Sequence, residues 1–232
     1  MAIEKGTYIK LSYTGSVNGT PFDTTDAEAA KKADIFRENG LYGPAVVKVG
    51  AGHLLKGVDE DLEGKEIGTE YTINVSAEKA FGEHKADDVK AFDKKAFHEK
   101  PELFSRVTIE GREGTVVNKI GSRYIVDFNH PLAGQEVTYV YKIEEIVEDG
   151  AEKLSGIIKL LTGREMKVGT AHEGFVSVAV PAMIAMYNQN WFMTQYMITQ
   201  EAFEIFPEIK EVKFVETFPR PNHKEEEEPK AE

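Results

Sequence analysis

The sequence has no cysteine among its 232 residues, so disulfide bonds and thiol chemistry are excluded. It has one tryptophan, and its 28 basic residues are outnumbered by 40 acidic ones, which gives a formal net charge of −12. Phosphate contacts need a basic footprint, and an acidic chain does not supply one. We therefore expect neither nucleic acid nor an anionic membrane as a partner.

Long hydrophobic runs are also missing. The longest nearly apolar stretch, residues 174–187, contains Ser177 and Pro181 and is too short to cross a bilayer. Residues 1–5 lack the apolar core of a secretory signal. We therefore expect a cytoplasmic protein. Residues 221–232 include the run Glu225 to Glu228, which predicts a disordered, solvated acidic tail.

Motifs for metal, phosphate and nucleophilic chemistry do not occur in the sequence. The six histidines are scattered, without the H-E-x-x-H spacing of zinc enzymes. Gly52 and Gly57 have P-loop spacing, but Val58 and Asp59 replace the lysine and the hydroxyl residue that bind phosphate and its metal ion. No G-x-S-x-G elbow is found. We therefore predict no metal site and no cofactor.

The most informative stretch that is present runs from Val49 to Gly64. It predicts the end of a strand, a glycine-rich turn and one short amphipathic helix. Four apolar residues recur at helical spacing and should face a core: Leu54, Leu55, Val58 and Leu62. Three polar residues between them should face water: Lys56, Asp59 and Glu60.

Strand patterns surround this stretch. Residues 7–13, 45–49 and 70–75 predict strands, and Asn18-Gly19 predicts a tight hairpin turn, because its residues tolerate positive φ angles. Residues 26–39 predict a short exposed helix. Further strand signals fall at 106–109, 115–117, 124–128 and 137–147.

After Gly150 the pattern changes. Residues 154–163 predict a helix that ends at a glycine, residues 175–180 and 212–217 predict short strands, and residues 190–206 predict a second helix rich in aromatic residues and methionine. The second helix is expected to form a core together with a dimer contact, although methionine-rich surfaces also suit promiscuous binding.

Five sequence features follow one another along the chain: Tyr13, Phe22-Asp23, the stretch 49–64, Ala80-Phe81-Gly82 and Asn129 to Gln135. Together they resemble the FKBP-type (macrolide-binding) peptidyl-prolyl isomerases, in particular the SlyD-like and archaeal long-type branch. The resemblance covers roughly residues 1–149. It implies an α+β protein, in which an antiparallel half-barrel sheet wraps a short helix, with a small inserted β-rich domain and a C-terminal α/β domain.

The resemblance also implies domain bounds. Residues 1–85 and 129–149 would form the catalytic domain, 86–128 an insert-in-flap chaperone domain, 150–220 the C-terminal domain, and 221–232 the tail. The implied activity is cis-trans isomerisation of Xaa-Pro bonds combined with a folding-chaperone role. Its partners would be unfolded or proline-containing polypeptides. The alternative is a chaperone module with little or no isomerase turnover.

The catalytic residues implied by the resemblance form one pocket: Tyr13, Phe22, Asp23, Leu54, Leu55, Val58, Phe81, Leu132 and Tyr139. Asp23 would accept a hydrogen bond from Tyr13, the N–H of Leu55 would bind a substrate carbonyl, and Val58 would form the base. Two residues depart from the family pattern. Phe81 stands where tyrosine is usual, and Val58 where tryptophan is usual, so reduced activity and weak macrolide binding are expected.

In the insert, the residues implied to hold unfolded chains are Phe92, Phe97, Leu103, Phe104, Tyr124 and Ile125. An exposed apolar surface of this kind would raise the local concentration of a client near the pocket. The same residues could equally form a small internal core. A homodimer through the C-terminal domain completes the expected partners.

Overall fold

The computed structural model of the protein describes residues 2–38, 40, 42–169, 171–182, 184 and 190–218. Eleven strands occur in these ranges: β1 Tyr8–Val17, β2 Thr20–Thr24, β3 Ala45–Lys48, β4 Glu70–Val75, β5 Val89–Asp93, β6 Arg106–Ile109, β7 Arg112–Ile120, β8 Arg123–Asp127, β9 Val137–Ile146, β10 Phe175–Pro181 and β11 Glu211–Thr217. The helices that we number are α1 Ala27–Lys32, α2 Lys56–Asp61, α3 Gly150–Thr162 and α4 Trp191–Ile205. Single 3-10 turns lie at Ala77–Lys79, Ala86–Asp88 and Lys94–Ala96.

The first sheet has five antiparallel strands. Its order is β2-β1-β9-β4, and β3 pairs with β1. The helix α2 packs on it through Val58 and Leu62, both fully buried in a core that also contains Ile9, Leu11 and Ile143. A sheet with one face on a core and one face in water explains the alternation along β9. The α+β class predicted from the sequence is confirmed.

The hairpin between β1 and β2 turns at the predicted dipeptide. Asn18 and Gly19 have φ angles of 49° and 79°, and Val17 pairs with Thr20 across the turn. Two consecutive positive φ angles match the right-handed twist of the flanking strands. The hairpin places Phe22 and Asp23 on the strand beside Tyr13.

A second, separate sheet forms between Gly82 and Asn129. It is antiparallel, in the order β5-β8-β7-β6, and has its own small core of Ile109, Val116, Tyr124 and Val126. Only β5 went unpredicted. All strands of each sheet fall within the range predicted for their domain, and the domain bounds themselves stay predictions.

The third part contains a parallel pair. Strands β10 and β11 pair in register, and α3 and α4 pack together with them on a shared core. Asp149 caps α3 by accepting from the N–H of Glu152, and Gly163 ends it in the left-handed conformation at φ 68°. The parallel pair needs a long crossover, which α4 supplies.

The third part packs directly on the first sheet. Ile157 of α3 is fully buried against Tyr8 and Val46. The Tyr8 hydroxyl donates to Glu201 of α4 at 2.7 Å, and Lys48 forms ion pairs with Glu201 and Glu204. The two parts therefore share a buried boundary.

Two predictions about helices need correction. The helix predicted over 26–39 is only α1, six residues long, and a turn at Ala33-Asp34 ends it. On α4 the side chains of Trp191 and Ile198 are buried, whereas a group of four large residues is exposed: Phe192, Met193, Tyr196 and Met197. These four therefore lie outside the core part of the prediction, and the predicted dimer contact stays a prediction. The predicted tail, 221–232, lies outside the described residues.

Candidate functional site

A pocket of about 580 Å³ opens on the first sheet and is lined by residues from six separate segments. Its walls are Tyr13, Phe22, Asp23, His53, Leu54, Leu55, Phe81, His130, Pro131, Leu132 and Tyr139. Strands β1, β2 and β9 supply the floor and one wall, and the loops before α2 and around residues 81 and 130 supply the rest. A concave, mainly apolar site with a few polar groups is the usual form of a small-ligand pocket.

Aromatic rings hold the walls in place. Phe22 meets Phe81 and Tyr139 edge to face, with ring centroids 5.4 and 6.0 Å apart. Tyr13 lies 5.8 Å from Tyr139, and His130 stacks on Phe81 at 4.3 Å. Such pairs add to the stability that burial alone gives, so the pocket is preorganised.

Gly15 allows these rings to close over β1. A Cβ atom at this position would lie 2.8 Å from both the Phe22 and the Tyr139 ring. Any side chain here would push the two rings apart. The sequence analysis did not single out Gly15, although it lies two residues from Tyr13.

The polar group of the pocket is the pair Tyr13 and Asp23. The Tyr13 hydroxyl donates to the Asp23 carboxylate at 3.1 Å. Burial and, next, the Asp23 charge raise the pKa of Tyr13, and the same two causes raise the pKa of Tyr139. Both hydroxyls therefore stay protonated at neutral pH, and Asp23 keeps an exposed carboxylate edge at the mouth.

The loop that presents Leu54 and Leu55 is fixed by Asp59. The carboxylate of Asp59 is 8% exposed and accepts the N–H groups of Gly50 and Gly52, each at 2.9 Å. The prediction that Asp59 faces water is wrong. In a six-residue helix the residue next to an inward Val58 can also turn back toward the preceding loop, and the two unpaired loop N–H groups draw it there.

The backbone N–H of Leu55 forms no hydrogen bond within the described part of the chain. Leu55 precedes α2, and its carbonyl accepts from the N–H groups of Val58 and Asp59. A free N–H at a pocket wall can bind a substrate carbonyl, as the resemblance implied.

The structure brings eight of the nine predicted pocket residues together around one cavity. Val58 is the exception. Its side chain is fully buried in the core beneath, with Leu62, and is not part of the pocket wall. The prediction that Val58 forms the base of the pocket is therefore wrong.

Three wall residues were missed as site residues, namely His53, His130 and Pro131. His53 adjoins Leu54 and Pro131 adjoins Leu132, while His130 lies in the same motif as Leu132, and this proximity in the sequence was the available signal. The N–H of Lys48 donates to Nδ1 of His53 at 3.2 Å, and burial lowers the pKa of His53. His53 is therefore a neutral wall at pH 7.

The six residues predicted to hold clients divide into two groups. Tyr124 is 4% exposed in the small core, with Phe92 and Phe97 packed against it. Tyr124 is a core residue, so its predicted contact with clients is wrong, whereas Phe92 and Phe97 are half-buried and their contact with clients stays a prediction. Leu103 and Phe104 are 52% and 77% exposed, and Ile125 is half-buried. The predicted set omitted Ile120, which is 64% exposed.

Among the described residues, no three histidine or acidic side chains form a metal-binding cluster. None of the helices in those residues combines the length and the apolar character needed to cross a bilayer.

Comparison with known proteins agrees with this architecture. A family model described as FKBP-type peptidyl-prolyl cis-trans isomerase matches residues 1–103, and one described as FKBP26_C-terminal matches residues 150–219. The chain is 31% identical over 155 residues to the short-type peptidyl-prolyl cis-trans isomerase of Methanocaldococcus jannaschii, covering 62% of this chain and 94% of that protein.

Two bacterial relatives give the same result. The FKBP-type peptidyl-prolyl cis-trans isomerase SlyD of Vibrio cholerae is 29% identical over 150 residues, covering 62% of this chain and 68% of that protein. The FKBP-type 16 kDa peptidyl-prolyl cis-trans isomerase of Escherichia coli is 31% identical over 121 residues, covering 49% and 80%. The chain belongs to the FKBP-type peptidyl-prolyl cis-trans isomerase family.

Proposed function

We propose that the protein is a peptidyl-prolyl cis-trans isomerase that also acts as a folding chaperone. The observation that carries the isomerase part is the preformed aromatic pocket of about 580 Å³ with a single carboxylate at its mouth. Membership of the isomerase family supports the same activity.

The chemistry requires no nucleophile, metal or cofactor. The peptide C–N bond has partial double-bond character, and rotation about it crosses about 18–20 kcal/mol. Twisting removes the resonance and with it the charge separation between oxygen and nitrogen. An apolar pocket therefore favours the twisted state over the planar one, which is differential binding of the transition state. A millionfold acceleration would need about 8 kcal/mol of this preference.

Each group then has a defined task. The rings of Phe22, Phe81 and Tyr139 surround the proline and exclude water. The N–H of Leu55 holds a carbonyl beside the proline, so that one side of the bond is fixed while the other turns. The Tyr13–Asp23 hydrogen bond keeps the carboxylate at a set place near the turning carbonyl.

The isomerase proposal is tested with a short proline peptide and with proline-limited refolding of a protein, both with the protein far below stoichiometric amounts. Acceleration is expected in both assays. If neither the peptide assay nor the protein assay showed acceleration at any concentration, only the chaperone function would remain.

The role of the Leu55 N–H can be separated from that of its side chain. Leu55 has φ −55°, an angle that proline adopts. Leu55→Pro removes both the N–H and the leucine side chain, whereas Leu55→Ala removes the side chain only. Losing one hydrogen bond should make kcat/KM of the proline variant about fivefold lower than that of the alanine variant. Equal values in the two variants would argue against the N–H contact.

The chaperone part rests on a different surface. Leu103 and Phe104, in the loop before β6, and Ile120, at the end of β7, expose large apolar side chains. The N–H of Phe104 donates to the carbonyl of Val116 at 2.7 Å, which ties the Phe104 loop to β7. Exposed apolar patches on a folded unit suit weak binding of unfolded chains.

The sheet of β5 to β8 also supports the finer assignment to the SlyD-like and archaeal long-type branch, with residues 86–128 as the insert-in-flap domain. The match of residues 150–219 to the FKBP26_C-terminal model supports an additional C-terminal domain. Deleting residues 86–128 should spare isomerisation of a short peptide and abolish the acceleration of protein refolding. A variant in which Phe104 and Ile120 are replaced by serine should suppress the aggregation of an unfolded client less well than wild type does, and should isomerise the short peptide at an unchanged rate. The exposed Lys119→Ser is the control and should behave as wild type.

We propose two further features of its working state. The exposed group on α4, Phe192, Met193, Tyr196 and Met197, supports a homodimer through the C-terminal domain. Sedimentation should give a dimer that Tyr196→Glu dissociates, and a monomeric wild-type protein would contradict this. The proposed location is the cytoplasm, which cell fractionation would test.

A further inference from the structure

A second pocket, of about 680 Å³, adjoins the proline pocket. The two pockets share the lining residues Tyr13, Phe22 and Asp23. The far wall of the second pocket comes from the segment that follows β2, and it includes Phe36 and Tyr42. No role for this segment follows from the isomerase reaction itself.

The segment is folded around α1. The Asp26 carboxylate caps the helix by accepting the N–H groups of Glu28 and Ala29 at 2.8 and 3.2 Å. Ala30, at 1% exposure, forms part of the pocket floor, and its carbonyl accepts the N–H of Ile35 at 3.0 Å. These bonds turn the chain back from the helix toward the pocket.

The far wall is held by an aromatic stack. The rings of Phe36 and Tyr42 lie nearly parallel, 8° apart, with centroids 5.0 Å apart. The Tyr42 hydroxyl accepts the N–H of Arg37 at 2.9 Å, and the N–H of Gly43 donates to the carbonyl of Thr25 at 2.8 Å. The wall is therefore in place before any substrate arrives.

We propose that the second pocket is a substrate subsite, which takes a large apolar or aromatic side chain of the same polypeptide close to the isomerising proline. The proposal rests on the isomerase function proposed above. Rings on opposite sides, Tyr13 and Phe22 against Phe36 and Tyr42, suit an aromatic or branched side chain. Among the lining residues Asp23 and Asp34 outnumber Arg37, which leaves one net negative charge on the pocket.

The distance between the two pockets determines how far along the substrate chain the apolar residue lies from the proline. Adjoining pockets of this size have centres about 10 Å apart, which an extended chain spans in about three residues. The subsite would therefore bind the side chain of a residue up to about three positions from the proline. The inserted segment would thus make the enzyme favour proline bonds that are flanked by apolar residues, which folded proteins bury and unfolded ones expose.

The test uses a series of peptides with one proline and alanine elsewhere, in which phenylalanine is placed at one to three positions on either side. We measure kcat/KM and, by calorimetry, affinity for wild type, Phe36→Ala and Tyr42→Ala. At one or more positions phenylalanine should raise kcat/KM of wild type about tenfold over the all-alanine peptide. Both variants should lose most of that gain and keep the all-alanine rate.

Glu38→Ala is the matched control, because Glu38 is exposed in the same segment and does not line the pocket. It should behave as wild type. The subsite is refuted if no position gives a gain, or if the gain survives in both variants. Failure of the isomerase proposal is distinct, since wild type would then leave even the all-alanine peptide unaccelerated, and calorimetry would still decide whether phenylalanine binds through Phe36 and Tyr42.

Discussion

Substituting Asp59 by alanine should loosen the proline pocket without touching any residue of its wall. The carboxylate accepts two N–H groups, from Gly50 and Gly52, in a nearly buried position. Hydrogen bonds to a charged group contribute about 1.5–3 kcal/mol each. Both glycines are exposed, so in the variant water can accept their N–H groups and recover part of the lost energy. We therefore expect a net loss of about 2 kcal/mol in the free energy of unfolding.

The loss can be measured in two ways. With a urea dependence of about 2 kcal/mol per molar, the midpoint of unfolding should fall by about 1 M. Hydrogen exchange should speed up at residues 49–55, and kcat/KM on a short peptide should fall about tenfold as Leu55 loses its fixed position. Asp59→Asn keeps one acceptor oxygen, so its unfolding midpoint should lie between those of wild type and Asp59→Ala. The surface neighbour Glu60→Ala is the control, and a wild-type midpoint for Asp59→Ala would refute the reasoning.

Other perturbations have equally definite outcomes. Phe81→Tyr restores the hydroxyl that the family usually has, and should raise kcat/KM by two- to tenfold on the short peptide, about the value of one hydrogen bond. Gly156→Ala should lower the melting temperature although alanine favours helices by about 1 kcal/mol, because a Cβ there would overlap Val46 across the boundary of α3 and β3; a higher melting temperature would contradict this. His53 has a lowered pKa, so the unfolded state binds its proton first as pH falls below about 6.5. Stability should therefore decline below that pH, and His53→Gln should flatten the decline in urea titrations; an unchanged pH dependence would show that burial of His53 is not the cause.

The sequence predicted the pocket better than it predicted the residues that support it. Tyr13, Phe22 and Phe81 lie in motifs whose order identifies a family, and the motifs fix which rings meet. Gly15 and Asp59 were not predicted, because their roles are set by what lies opposite them in space. A glycine in a strand and an acid in a helix are each compatible with a solvent-facing position until the packing is known.

The sequence also could not tell which apolar residues of α4 and of the insert are buried. Helix α4 carries large apolar residues all round, so its periodicity could not tell the buried Trp191 from the exposed Phe192. In the insert, Tyr124 and Phe104 are similar in type, but only pairing of β8 with β5 and β7 determines that Tyr124 turns inward. Strand β5 itself was missed because Val89 and Phe92 do not alternate with period two.

The boundary between the first sheet and α4 connects these observations. Tyr8 lies on β1 and Lys48 on β3, and both bind Glu201, while the N–H of Lys48 also donates to His53 in the pocket wall. Separating the two parts would break the hydrogen bond between Tyr8 and Glu201 and return both groups to water, at a net cost of about 1.5–3 kcal/mol because the acceptor is charged. Through Lys48, these contacts link α4 to His53 in the pocket wall. The third part therefore supports the position of the pocket, in addition to any client or dimer contact that its exposed apolar face makes.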